Sequence, residues 1–169
     1  QNSNSRTALW ADFINQLKLK NMVEVGVYRG DFAAAILKEC TSIAQYYMID
    51  PWKNLNDWNK PANTDSDTFE HFYQETLTKT NFANERRVIL RGTTANMAPQ
   101  IPDESLDFAY IDGDHTLRGV TIDLINIYPK IKNLGWVIGD DFHPSMWQHP
   151  TSFEPTAVFP FAVYFAEAI

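Results

Sequence analysis

The stretch MVEVGVYRG, Met22–Gly30, decides the fold. An apolar run from Met22 to Val27 that turns at Gly26 reads as a short buried strand and a tight turn. Phe32 to Cys40, rich in Ala, Ile and Leu, reads as the helix fed by that turn. A glycine turn at such a junction lets backbone N–H groups approach a ligand while the next helix offers its N-terminus, although glycine serves any tight turn equally well. Working outward, the same unit repeats. Gln45 to Ile49 is a second strand, stopped by Asp50-Pro51, and Arg87 to Leu90 a third. Leu106 to Ile111 is a fourth and Gly135 to Ile138 a fifth.

Helical spacing separates these strands. Trp10, Phe13, Ile14 and Leu17 predict a helix over 7–19, and Phe69, Phe72, Tyr73 and Leu77 one over 65–80. Thr93 to Met97 predicts one helical turn. Leu117, Val120, Leu124, Ile127 and Ile131 step by three and four, and Ala157 to Ala168 completes the set with Pro160 in its first turn. Residues 1–6 read as a polar, frayed end, and 51–64 and 143–156 as irregular loops. Short apolar strands alternating with helices predict an α/β fold: a Rossmann-like, doubly wound, mostly parallel sheet with helices on both faces. Ligands of such sheets sit at the carboxyl ends of the strands, where strand order reverses.

The 169 residues carry 14 Lys+Arg and 21 Asp+Glu, a net charge of −7. Residues 1–100 hold 11 acids and 11 bases, so the whole excess lies in residues 101–169, with 10 acids and 3 bases. An acidic chain without a basic stripe predicts no nucleic-acid partner and no anionic membrane partner. The hydrophobic share of 44% excludes a dominantly disordered chain. The length predicts one domain, 1–169. The lone Cys40 excludes an intrachain disulfide and, with no signal-peptide pattern at Gln1, points to the cytoplasm.

The strand ends carry the chemistry. Asp50 follows the second strand, 24 positions after Gly26. It could accept the two hydroxyls of a ribose, or cap the turn before Pro51. The spacing Gly26-x-x-x-Gly30 departs from the dinucleotide pattern G-x-G-x-x-G. Asp112-Gly113-Asp114-His115 follows the fourth strand and Asp140-Asp141 the fifth. If those strands are neighbours, four carboxylates and an imidazole converge. Like charges so close need something positive among them, and a divalent cation with oxygen ligands, Mg²⁺, Mn²⁺ or Ca²⁺, is the simplest expectation. The alternative is that Asp112 and Asp140 cap helices while Asp114 and Asp141 are solvated. His115 reads as a general base for a substrate hydroxyl, or as a capping histidine. Trp52 and Trp58 read as candidates to cover an adenine or a substrate.

The order EVGVYRG, YYMIDPW, FAYIDGDH, GWVIGDD, spanning roughly residues 20–142, resembles the class I S-adenosylmethionine-dependent methyltransferases. Within them it is similar to the metal-dependent O-methyltransferases of the macrocin and catechol types. The resemblance implies that Glu24, Gly26, Tyr28 and Gly30 shape the pocket for the methionine part of the cofactor. Asp50 would hold the ribose, Thr93 and Thr94 would meet the adenine, and Asp112 would border both cofactor and metal. Asp112, Asp140 and Asp141 would bind Mg²⁺. His115 stands where the catechol-type enzymes keep a lysine base, and Phe32 where a hydroxyl residue often binds the cofactor carboxylate, so Arg29 or a backbone N–H is expected to serve instead.

The implied reaction is methyl transfer to a hydroxyl of a small molecule, with Asp114 or His115 taking the proton beside Asp112. The alternatives are a metal-independent methyltransferase with His115 as base, and a non-methylating metal enzyme or cofactor-binding module on the same fold. The family's closing antiparallel strand pair has no counterpart before Ile169, so the sequence predicts either a truncated domain or an edge completed by another copy in a homo-oligomer.

Overall fold

The computed structural model describes residues 3–58, 60–143 and 157–169, with only the backbone for residues 3–5. The anticipated units form in order. Helix α1 (Ser3–Leu17) precedes β1 (Asn21–Val25). Then come α2 (Asp31–Glu39), β2 (Gln45–Asp50), α3 (Ser66–Lys79), β3 (Arg87–Arg91), the single turn α4 (Thr94–Met97), β4 (Leu106–Ile111), α5 (Leu117–Ile127), β5 (Ile131–Gly139) and α6 (Val158–Ala168). Among the described residues the sheet has five strands in the order β3-β2-β1-β4-β5, all paired in parallel. This is the doubly wound arrangement expected, and its order reverses between β1 and β4.

Side chains alternate across the sheet and bury two cores. On one face Met22, Tyr46, Met48, Phe108 and Tyr110 meet Ile14 of α1 and Phe32, Ile36 and Leu37 of α2. On the other, Val23, Val25, Ile49 and Ala109 meet Ala98, Ile101 and Ile127. Strands buried on both faces need largely apolar runs, and β1, β2 and β4 are such runs, interrupted inside β1 by Glu24 and inside β4 by Asp107. Helix α1 is anchored over β4 and β5 by aromatic contacts. Trp10 lies 6.2 Å from Phe108 and Phe13 lies 5.2 Å from Trp136, ring centre to ring centre. Arg86 binds the end of α2 into the fold, donating to the carbonyls of Leu37 at 2.8 Å and Ile43 at 3.2 Å.

Four sequence expectations change. Helix α1 begins at Ser3, inside the segment expected to fray, and Leu17 faces out, 47% exposed. The apolar stepping that ran through Ile131 ends at Ile127, because Pro129 converts residues 128–130 into a 3₁₀ turn and Ile131 opens β5. Strand β5 is longer than expected and leaves Leu134 91% exposed along its edge. Most of the loop expected over 143–156 lies outside the described residues. No helix among the described residues is long and apolar enough to cross a membrane.

Candidate active site

The reversal point is built by the turn after β1. Gly26 and Gly30 adopt left-handed φ values of 86° and 73°, and Tyr28 joins them at 54°. Both glycines are needed for close approach within the protein. A Cβ on Gly26 would sit inside the carbonyl of Asp112, and one on Gly30 would come within 2.8 Å of Thr76 Cγ2. The strand end and the turn are stitched by Gly26 N–H to Ile49 O at 2.9 Å and Asp112 N–H to Val25 O at 2.8 Å.

Asp50 organises this turn. Its Oδ2 accepts the N–H groups of Val27 at 2.9 Å and Tyr28 at 2.8 Å, and its Oδ1 accepts that of Trp52 at 2.7 Å. Burial lifts its carboxyl above the ordinary range even though these N–H groups and Arg91 pull it down. Oδ1 takes one bond here and keeps acceptor capacity toward the open end of the sheet. Asp50 therefore caps the turn, as one of the two sequence readings held.

Trp52 does not cover a ligand. It is 1% exposed, its ring centre lies 5.1 Å from that of Tyr73, and its Nε1 donates to Tyr28 O at 2.7 Å. Arg91 locks it from outside, donating to Trp52 O at 3.1 Å while stacking over Tyr73. Trp58 differs: its indole N–H is buried without a hydrogen-bond partner, in a loop pinned by Asn63, which donates to Leu55 O and Trp58 O at 2.7 Å each.

Glu24 lies under the turn, 2% exposed, accepting from Tyr46 Oη at 2.7 Å. Burial raises its carboxyl well above the usual range, while the Tyr46 hydroxyl pulls it back. Tyr28 turns its ring outward against Phe72 at 4.7 Å. Arg29 is engaged by Glu75 at 2.8 Å and Phe32 is stacked on Tyr110 at 4.3 Å.

At the end of β3, Thr93 is the half-buried residue before α4. Thr94 is buried and pulls the carboxyl of Asp123 toward the ordinary range. Asp123 is a residue the sequence reading passed over. It is 6% exposed on α5, beside Gly113, and burial pushes its carboxyl up to about 6. A polar residue among Val120, Leu124 and Ile127, on the buried side of the helix, was the available signal.

Strands β4 and β5 are neighbours, so the acids after them do meet. They do not converge on one point. Asp114 turns away: its two oxygens accept from Thr116 N–H at 2.9 Å and Thr116 Oγ1 at 2.8 Å, closing the entry to α5. Asp141, at a left-handed φ of 57°, brings Oδ2 to 2.5 Å from His115 Nδ1. Asp140 pairs with the guanidinium of Arg6, which also lies 4.0 Å from Asp112 Oδ2. His115 Nε2 lies 3.3 Å from Asp112 Oδ1, out of line for a hydrogen bond, and is buried without a hydrogen-bond partner. Burial alone would lower the imidazole, but the Asp112 and Asp141 carboxylates outweigh it and hold His115 at about 9.

Among the described residues no three His, Cys, Asp or Glu side chains are placed to hold an ion together. Beside these carboxylates the structure places the Arg6 guanidinium and the His115 imidazole. Arg6 was assigned to a frayed end. The signal for it was the spacing Arg6, Trp10, Phe13, Ile14, which puts the arginine on the packed face of α1.

Asp50, Asp112 and Thr93 stand together at the carboxyl ends of β2, β4 and β3, and Asp50 Oδ1 keeps acceptor capacity. The sequence profile of a family described as a methyltransferase domain matches residues 23–142. No curated protein matches the sequence. Among solved structures, an O-methyltransferase from Bacillus cereus in complex with SAH is similar with a TM-score of 0.70 at 16% identity, covering 100% of this chain and 70% of that one. A putative caffeoyl-CoA O-methyltransferase from Staphylococcus aureus gives 0.67 at 17% identity, covering 96% and 73%. An SAH-bound methyltransferase from Podospora anserina gives 0.69 at 11% identity, covering 99% and 71%. At such identities these likenesses establish the fold.

Proposed function

This chain belongs to the methyltransferase-domain family, and we propose that it binds S-adenosylmethionine across the ends of β1, β2 and β4 and methylates a hydroxyl of a small molecule held beside His115. One observation carries the reading. At the point where strand order reverses, a glycine turn locked by Asp50 stands next to a histidine set between two carboxylates. When bound, the cofactor supplies a methyl group on a positively charged sulfur.

The chain's own residues do the rest. Asp50 Oδ1 would accept from the ribose and Thr93 would meet the adenine, while Gly26 and Gly30 let the turn pack closely on Asp112 and Thr76 beside the methionine part. Asp141 fixes the imidazole of His115 through Nδ1, leaving Nε2 to face the acceptor hydroxyl. His115 takes the acceptor proton when neutral, and because Asp112 and Asp141 hold it at about 9 the rate climbs as the imidazole deprotonates. The proton balance closes on His115 and then solvent. Asp114 serves α5 and takes no part, and no step passes through a metal.

The test is methyl transfer from labelled S-adenosylmethionine to a panel of catechols, phenols and sugar hydroxyls, in EDTA, for the parent chain and His115→Ala. Transfer to at least one acceptor, reduced about a hundredfold or more by the substitution, is expected. Good cofactor binding with no transfer to any acceptor would move the assignment to a cofactor-binding module.

A further inference from the structure

We propose that Arg6 is a working part of the acceptor site, a cation tethered on α1 that steadies the acceptor oxygen where a divalent ion would otherwise be required. The inference rests on the methyl-transfer reading and adds a residue to it from the far end of the chain. Three observations carry it.

The first is delivery. Arg6, Trp10 and Phe13 follow one another along a single face of α1, and the two aromatic rings dock on β4 and β5. The stripe that starts as packing therefore ends in a guanidinium at the carboxyl ends of those two strands. A rigid helix, rather than a loop, sets its position.

The second is charge. The guanidinium pairs with Asp140 and lies 4.0 Å from Asp112 Oδ2, while His115 Nε2 lies 3.3 Å from the other oxygen, Oδ1. Asp112 thus lies between the guanidinium on one side and the imidazole on the other. A divalent ion binding these carboxylates would have to displace the arginine.

The third is unused capacity. Arg6 Nε, His115 Nε2 and Tyr110 Oη are each buried without a hydrogen-bond partner, and all three belong to residues around Asp112. Buried polar groups are ordinarily satisfied, so a cluster of three marks a place for an oxygen-bearing ligand. Arg6 Nε–H can only donate. It donates to the acceptor oxygen as that oxygen gives its proton to His115 and attacks the methyl carbon, whose bonding pair stays with the sulfur. Negative charge developing on the acceptor is met by a fixed donor, without a metal.

The experiment compares the parent chain with Arg6→Ala and Arg6→Lys. SAH calorimetry and circular dichroism confirm that each is folded with the cofactor site intact. Mn²⁺ binding is followed by electron paramagnetic resonance without acceptor, and methyl transfer is followed in EDTA and in Mn²⁺. Arg6→Ala is expected to bind Mn²⁺ about tenfold or more tighter than the parent, to lose methyl transfer about a hundredfold in EDTA, and to regain part of it with Mn²⁺ or free guanidinium. Arg6→Lys keeps the charge without Nε–H and is expected to block Mn²⁺ while transferring slowly. Equal Mn²⁺ affinity in parent and Arg6→Ala, or full transfer by Arg6→Ala in EDTA, overturns the proposal. Should no chain methylate any acceptor, a gain of Mn²⁺ binding in Arg6→Ala would still establish the placement of the cation, and the methyl-transfer reading alone would fall.

Discussion

The two halves of the sheet end in different ways. At β1 and β2 the ends are closed by backbone: one carboxylate, Asp50, takes three N–H groups, and a buried tryptophan seals the turn. At β4 and β5 the ends are held by side-chain charge, with Asp112, Asp140 and Asp141 met by Arg6 and His115. The first half is a scaffold that shapes space for a ligand. The second is a set of half-buried charges whose balance can change during a reaction. Stability should therefore concentrate in the first and activity in the second.

The contrast breaks most visibly at Asp50. Asp50→Ala leaves three N–H groups at the buried turn without acceptors and should cost about 3–5 kcal/mol in urea unfolding. A loss under about 1 kcal/mol would mean that the turn holds itself. In the other half, His115→Ala should reduce kcat about a hundredfold, and because Asp112 and Asp141 hold the imidazole at about 9 it should also lower the urea midpoint at pH 7, by less than Asp50→Ala does. The pH profile of kcat/KM for the parent chain should rise tenfold per pH unit from neutrality and level near 9. A flat profile there would remove His115 as the base.

A smaller effect sits between the halves, at Asp123. Its carboxyl keeps its proton up to about pH 6 when folded but releases it near 3.8 when unfolded, so folding takes up a proton in that window. Stability should fall as pH rises through the window, by at most about 3 kcal/mol. Asp123→Asn should remove the fall and raise the unfolding midpoint at pH 7, measured by urea titration at several pH values. Arg118 and Asp57 pair at 3.2 Å in the open, both more than two thirds exposed, so Arg118→Ala should leave Tm unmoved.

What the sequence made legible follows the same division. The strands of the first half, and the Gly and Asp residues that end them, are local signals, each an apolar run with its own punctuation. Asp112, His115, Asp140 and Asp141 were equally readable as a group, because parallel order places the ends of β4 and β5 side by side. What neutralises them was not readable in the same way. Arg6 comes from 134 positions before Asp140, and a helix's first turn looks polar whether it frays or docks. Asp114 was drawn into the cluster by proximity in sequence, while a hydroxyl two residues on, Thr116, turns it toward α5. Ile131 fitted the helical spacing, and only Pro129 explains why the chain leaves the helix before reaching it.

The central claim is that the closed end of the sheet and the charged end together form a site for S-adenosylmethionine. Calorimetric titration of the folded chain with SAH in EDTA tests it most directly. Saturable one-to-one binding without added metal is expected. A chain that is folded by circular dichroism and gives no binding heat with SAH over a range of temperatures would contradict it.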